Sequence, residues 1–166
     1  MESIDAKAPE SYEAVSYYWG QLKPDTDINV YTVGEGTTEN LTNYTFRVRK
    51  NPYAALKQLR LLETPRYLWI HAICINQDDD LERNLQVALM DRVYSEATTV
   101  CVRLKEARDD DRLALSFLSR VVNDRLARDN RTPQDWAAFS NLMKRDWFSR
   151  RWVVQEIALA KRARPL

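Results

Sequence analysis

Apolar and polar positions change period several times along the chain, and each change marks an element. Residues 12 to 19, YEAVSYYW, are aromatic and β-branched with the turn-former Gly20 straight after, which predicts a strand delivering Ser16, Tyr17 and Trp19 to its C-terminal end. Residues 28 to 33 and 44 to 48 alternate as two further strands joined by the polar stretch 34 to 43, a hairpin with a mobile tip. Asn51 before Pro52 has the form of an N-cap and first-turn pair, and Tyr53, Leu56, Leu59 and Leu62 recur behind it at helical spacing. The nearly continuous apolar run YLWIHAICI, 67 to 75, predicts a strand covered on both faces. Asp79 and Glu82 have capping-box spacing ahead of an amphipathic helix carrying Leu85, Leu89 and Val93 with Gln86, Met90 and Ala97. TTVCVRL, 98 to 104, is the next core strand, expected beside 67 to 75 at the centre of the sheet. Residues 105 to 144 form a helical insertion, with one helix from about Asp110 to Ala127 and another behind the start signal Thr132, Pro133, Gln134, Asp135. Strand and helix alternate, so the class is α/β, with a mainly parallel sheet flanked by helices on both faces.

The last segment, RDWFSRRWVVQEIALAK at 145 to 161, carries the candidate chemistry. Read as one helix at ~100° per residue, it places Glu156 on the apolar stripe with Ser149, Trp152, Val153, Leu159 and Ala160, while Arg150 and Arg151 project to the other side. A carboxylate there needs a partner, a cleft or a raised pKa, which is the setting of a catalytic acid. The alternative is a Glu at the edge of the stripe that reaches water or pairs with Arg150 or Arg83. In the catalytic reading Glu156→Gln keeps the melting temperature or raises it slightly, because a charge on an apolar face is relieved.

Composition narrows the function. A chain of 166 residues fits a single domain spanning 1 to 166, able to bury roughly 70% of its unfolded surface. Lys and Arg number 25 against 24 Asp and Glu, so no global field points to nucleic acid or a membrane. The N-terminus MESIDAKAPES is polar and no apolar run is long enough to span a bilayer, which places the chain in the cytoplasm. Cys74 and Cys101 fall in apolar, strand-like segments as reduced buried thiols. With one histidine, His71, zinc-ligand spacing and Ser or Cys triads are improbable, so no metal is expected; a lone His in a core strand is more often a hydrogen-bonded structural residue than a base. The three glycines, Gly20, Gly34 and Gly36, write neither GxGxxG nor a P-loop. Asn76 and Gln77 follow the 67 to 75 run, where a ligand at a strand end is in reach, although Asn76 also suits a turn that satisfies its own backbone.

Four segments, YEAVSYYWG (12 to 20), LWIHAICINQ (68 to 77), ERNLQVALMDRVYSEATTVCV (82 to 102) and RDWFSRRWVVQEIALA (145 to 160), together resemble the fungal heterokaryon-incompatibility (HET) domain. That family belongs to large fungal proteins that trigger cell death on meeting non-self, and its fold is thought to be a distant, flavodoxin-like relative of the TIR domain. TIR domains that cleave NAD⁺ carry Trp-x-x-x-Glu at the start of a helix after the third sheet strand, and Trp152 to Glu156 is similar. The resemblance therefore implies Glu156 as the catalytic group and NAD⁺ or a related nucleotide as substrate, with no bound cofactor. It implies a cleft bordered by Ser16, Tyr17, Trp19 and Gly20, with His71, Asn76, Gln77 and Trp152 near it and Arg83 or Arg150 meeting the pyrophosphate. It also implies self-association and further domains or proteins of an incompatibility system as partners. The family usually has Asp at the position of His71, which removes a carboxylate beside the implied site; His71 itself is expected near Glu156. A TIR domain continues beyond the catalytic helix, so the sheet is expected either to close differently, with the hairpin of 28 to 48 filling the gap, or to be completed by further chain. A non-enzymatic TIR-like assembly module is the competing implication, with Trp152 and Glu156 then fixing a helix against the sheet.

Overall fold

A computed structural model describes residues 11–20, 23–33, 41–105, 108–123 and 131–166. The tip of the expected hairpin, 34 to 40, and the end of the first insertion helix, 124 to 127, lie outside the described residues.

Four strands make one parallel sheet in the order β4-β1-β5-β6: β1 Glu13–Tyr17, β4 Leu68–Trp69, β5 Thr99–Arg103 and β6 Ala163–Pro165. The pair β1 and β5 is its centre, with five residues in register from Glu13↔Thr99 to Tyr17↔Arg103. Every residue of β5 is buried, as an apolar strand covered on both faces must be. Strand alternation splits the core in two. Ala14, Val100 and Val102 face a cluster with Met90, Tyr94, Ala114, Ala138, Leu142, Trp147 and Val153, while Val15, Tyr17 and Cys101 face Ala55, Leu59 and Ile70. Helices thus cover both faces, as the pattern predicts.

The run 67 to 75 behaves differently from its prediction. Only Leu68 and Trp69 are strand; Ile70 is extended (φ −129°, ψ 109°) and the chain then turns into α2, His71–Cys74. The strand is also an edge, separated from β5 by β1. An apolar run reports burial, and burial at the corner between a strand and a helix satisfies it equally well. Cys74 consequently sits on a helix and is exposed, whereas Cys101 is buried in β5. Because β4 stops after Trp69, its only register partners on β1 are Glu13 and Ala14.

The remaining elements follow local chemistry closely. β2 Thr26–Val33 and β3 Leu41–Val48 are an antiparallel pair that forms its own two-stranded sheet and does not extend the parallel one; β6 takes the place beyond β5. Helix α1 spans Lys50–Leu59 with Arg49 as its N-cap, so Asn51 lies within the first turn and uses its amide elsewhere, donating to the Tyr18 carbonyl at 2.6 Å. Leu62 falls beyond the helix and is exposed. The amphipathic segment is two helices, α3 Asp80–Ala88 and α4 Met90–Glu96, broken at Leu89 (φ −100°, ψ 2°). Asp79 caps α3, accepting from the Leu81 and Glu82 amides, but Glu82 turns back to the Asn76 amide and the capping box is left half-built. Helices α5 Asp111–Asn123 and α6 Pro133–Met143 occupy the stretch before the last helix, and α6 starts on a complete capping box between Thr132 and Asp135.

Candidate functional site

The 145 to 161 segment is two pieces, not one helix. A 3₁₀ turn, Asp146–Ser149, is followed by an extended Arg150 (φ −82°, ψ 131°) and then by α7, Val153–Ala158, on which Glu156 sits. The break overturns the wheel: Arg150, expected on the far side, reaches Glu156. Its Nη2 donates to Oε1 at 2.9 Å and its Nη1 to Oε2 at 3.4 Å. With the backbone extended at this point, Arg150 Nη1 also donates to the Tyr17 carbonyl at 2.8 Å. Glu13 turns its N–H toward Tyr67 on the β4 side, and by strand alternation Tyr17 turns the same way, into the lane that β4 vacates.

Glu156 is 1% exposed and fully engaged. Besides Arg150 it accepts from the Ser16 hydroxyl, and Ser16 Oγ in turn accepts from Trp147 Nε1 at 2.7 Å. An indole N–H only donates, so the network has one polarity: Trp147 to Ser16 to Glu156, with Arg150 completing the carboxylate. The alternative of a Glu paired with Arg150 is the one the structure adopts.

On the wall side of Arg150 lies a cavity of about 390 Å³. Tyr17, Trp19, His71, Gln77, Arg83, Arg150 and Trp152 line it, and with them Val15, Val87, Met90 and Tyr94. Glu156 stands behind Arg150, off the lining, and Ser16, Gly20 and Asn76 are off it too. Gly20 serves the backbone: its φ of 78° suits glycine, and its carbonyl accepts from Arg49 at 3.0 Å. Asn76 makes its own turn, Oδ1 accepting from the Asp78 amide. Gln77 is pinned by donations to the His71 and Ile75 carbonyls, and Arg83 by a donation to the Gln77 carbonyl and an ion pair with Asp80. His71, expected near Glu156, shares the cavity lining with Arg150, whose guanidinium is bonded to Glu156. His71 packs on Trp19 at 4.8 Å between ring centroids. Burial first, and then the Arg150 charge, lower its pKa to about 4, so at neutral pH it carries no charge. Tyr17 is 2% exposed, and burial raises its phenol well beyond the ordinary range.

The lining is therefore cationic at Arg83 and Arg150, aromatic at Tyr17, Trp19, His71, Tyr94 and Trp152 and aliphatic at Val15, Val87 and Met90, and among the described residues it holds no carboxylate. Such a wall suits an anionic ligand that also carries a flat ring. Among the described residues no group of three or more His, Cys, Asp or Glu could hold a metal ion. The sequence pattern did not single out Trp147 or Tyr94. Tyr94 lies four residues after Met90 on the same helix face, and that spacing is the signal that could have found it.

Among the described residues no helix is long and apolar enough to cross a membrane. Comparison with known proteins adds the family. The model for "Heterokaryon incompatibility protein (HET)" matches residues 12–156. Heterokaryon incompatibility protein 6, OR allele, of Neurospora crassa is 29% identical over 91% of this chain; the chain spans only 28% of that relative's length. No solved structure matches. A match from the first residues of β1 to the carboxylate of α7 takes in the parallel sheet through β5, the cavity and the network behind it, and so this chain belongs to the heterokaryon incompatibility (HET) family.

Proposed function

We propose that this domain is an effector of fungal non-self recognition whose cell-death activity is the cleavage of NAD⁺ to nicotinamide and ADP-ribose. The observation that carries the reading is a buried carboxylate, Glu156, at the C-terminal end of β1, one side chain behind an aromatic and cationic cavity of about 390 Å³. Two features support a TIR-like mechanism. Numbered within the parallel sheet alone, the strand order is 2-1-3-4, the beginning of the flavodoxin-like order, in which ligands sit beyond the carboxyl ends of the strands. The Trp152 to Glu156 spacing then falls at the start of α7, the last of the helices between the third and fourth of those strands.

In this mechanism the pyrophosphate of NAD⁺ is met by Arg83 and Arg150, and a ring stacks against Trp19. Drawing Arg150 toward the phosphates releases Glu156 to hold the ribose hydroxyls and stabilise positive charge as the C–N glycosidic bond breaks. The pyridinium departs as neutral nicotinamide and requires no proton, so one carboxylate suffices where a glycosidase needs two. Water completes the hydrolysis.

A second reading has its own observation. No residue of α3 is buried, and Leu81 and Leu85 on it, with Leu89 just past its end, leave an apolar stripe on the surface, as a homotypic assembly module would. Concentrated protein incubated with NAD⁺, with nicotinamide followed by chromatography and association by sedimentation, separates the two. Release of nicotinamide that Glu156→Gln reduces by about two decades or more supports cleavage. Intact NAD⁺ at every protein concentration, with a self-association that Leu85→Glu disrupts, leaves assembly as the function.

A further inference from the structure

A second cleft, of about 420 Å³, opens at the C-terminal end of β5 and shares no residue with the cavity beside Glu156. Among the described residues eight line it, and five of these are cationic, Arg103, Lys105, Arg108, Lys144 and Arg145, against one carboxylate, that of Asp146. Its shape is built from within. Arg145, buried, donates to the Leu104 carbonyl at 2.6 Å and holds Asp111 at its back. Arg103, also buried, approaches Asn51 Oδ1 at 3.5 Å. Lys105 has φ 76°, a left-handed backbone that an L side chain other than Asn or Asp seldom adopts, and its ammonium bridges to Asp146 and stands 5.5 Å from the centre of the Tyr18 ring. Backbone strain of this kind persists where surrounding structure enforces it, and it gathers at ligand sites.

We propose that this cleft binds a chain of two or three phosphates. Several cations spread around one pocket match an extended polyanion; a lone carboxylate would need only one arginine. Among the described lining residues Leu104 is the one apolar side chain and none is aromatic, so the phosphates are the recognised part. The position, beyond the carboxyl end of a central parallel strand, is where open α/β sheets take ligands. The inference does not depend on NAD⁺ cleavage, because its residues and those of the other cavity are separate.

The test is calorimetric titration at constant ionic strength with inorganic tripolyphosphate, ATP and adenosine. Tripolyphosphate and ATP should bind and adenosine should not. Equal affinity assigns recognition to the phosphate chain alone, and tighter ATP adds an interaction from the nucleoside; either outcome supports the site. Arg108 and Lys144 lie on the rim of the cleft, outside the core, so the double variant Arg108→Glu, Lys144→Glu should fold. Near-UV circular dichroism checks this, and tripolyphosphate affinity should fall about a hundredfold, roughly tenfold for each cation removed. Arg83→Glu, in the other cavity, should leave it unchanged. The proposal is overturned if tripolyphosphate gives no more heat or thermal shift than sulfate of equal ionic strength, or if Arg83→Glu abolishes binding and the double variant does not.

Discussion

Glu156→Gln is the sharpest probe of the buried network, because it keeps the shape of the side chain and reverses one end of its hydrogen bonding. Both carboxylate oxygens face donors: Ser16 and Arg150 Nη1 at Oε2, and Arg150 Nη2 at Oε1. Ser16 cannot turn its proton elsewhere without cost, since Trp147 already donates to its oxygen. A glutamine must therefore point an NH₂ either at the guanidinium or at the hydroxyl, stranding one donor. Breaking a buried ion pair from one side costs about 3–5 kcal/mol. Arg150 keeps its bond to the Tyr17 carbonyl and its side chain is 20% exposed, so water relieves part of that; about 2–3 kcal/mol is expected. For a chain of this size the melting temperature should drop by about 5–10 °C. The catalytic reading of the sequence led to the opposite expectation, retained or slightly higher stability, because on the wheel Arg150 projects away from Glu156. Arg150→Met should destabilise at least as much, and the double variant less than the sum of the singles. Urea unfolding of the four proteins, followed by circular dichroism, gives the cycle. A Glu156→Gln protein within about 0.5 kcal/mol of the parent, or strictly additive singles, would refute the assignment of the network.

Three further expectations follow from the same geometry. His71 has a folded pKa of about 4 against an ordinary value of 6.5, so the unfolded chain binds the extra proton. Stability should be full above about pH 6.5 and fall, by about 2 kcal/mol after allowance for solvent screening, as pH drops toward 4, a slope that His71→Asn should flatten in urea titrations. His71→Asp places a second carboxylate under the Arg150 charge to compete with Glu156, and should raise NAD⁺ cleavage or toxicity over the parent; no change in either assigns the position to packing alone. Thr132→Ala removes the hydroxyl half of the α6 capping box and should cost about 1 kcal/mol, read as a drop in melting temperature, whereas an unaltered melt would show that Asp135 holds the helix start without the hydroxyl.

Wherever a local rule was enough, the sequence determined the structure. β1 and β5 follow from β-branched, apolar runs, the start of α6 from Thr132 and Asp135, and the hairpin strands from their alternation. That Glu156 lies on a helix with an apolar face was also legible, because helical period and burial are both local signals. What tertiary structure decided is where local signals were degenerate. The run from 67 to 75 is apolar in either conformation, and the chain leaves the strand after Trp69 to form a corner beside β1. Where the expected helix breaks, Arg150 bonds a carbonyl 133 residues away in sequence, which no periodicity can report. With that break the arginine, placed on the far side by the wheel, meets Glu156 and lines the cavity. The vacated β4 lane, the cavity along it and the partners of the carboxylate all depend on strand order, and strand order is set by which surfaces pack together over long range.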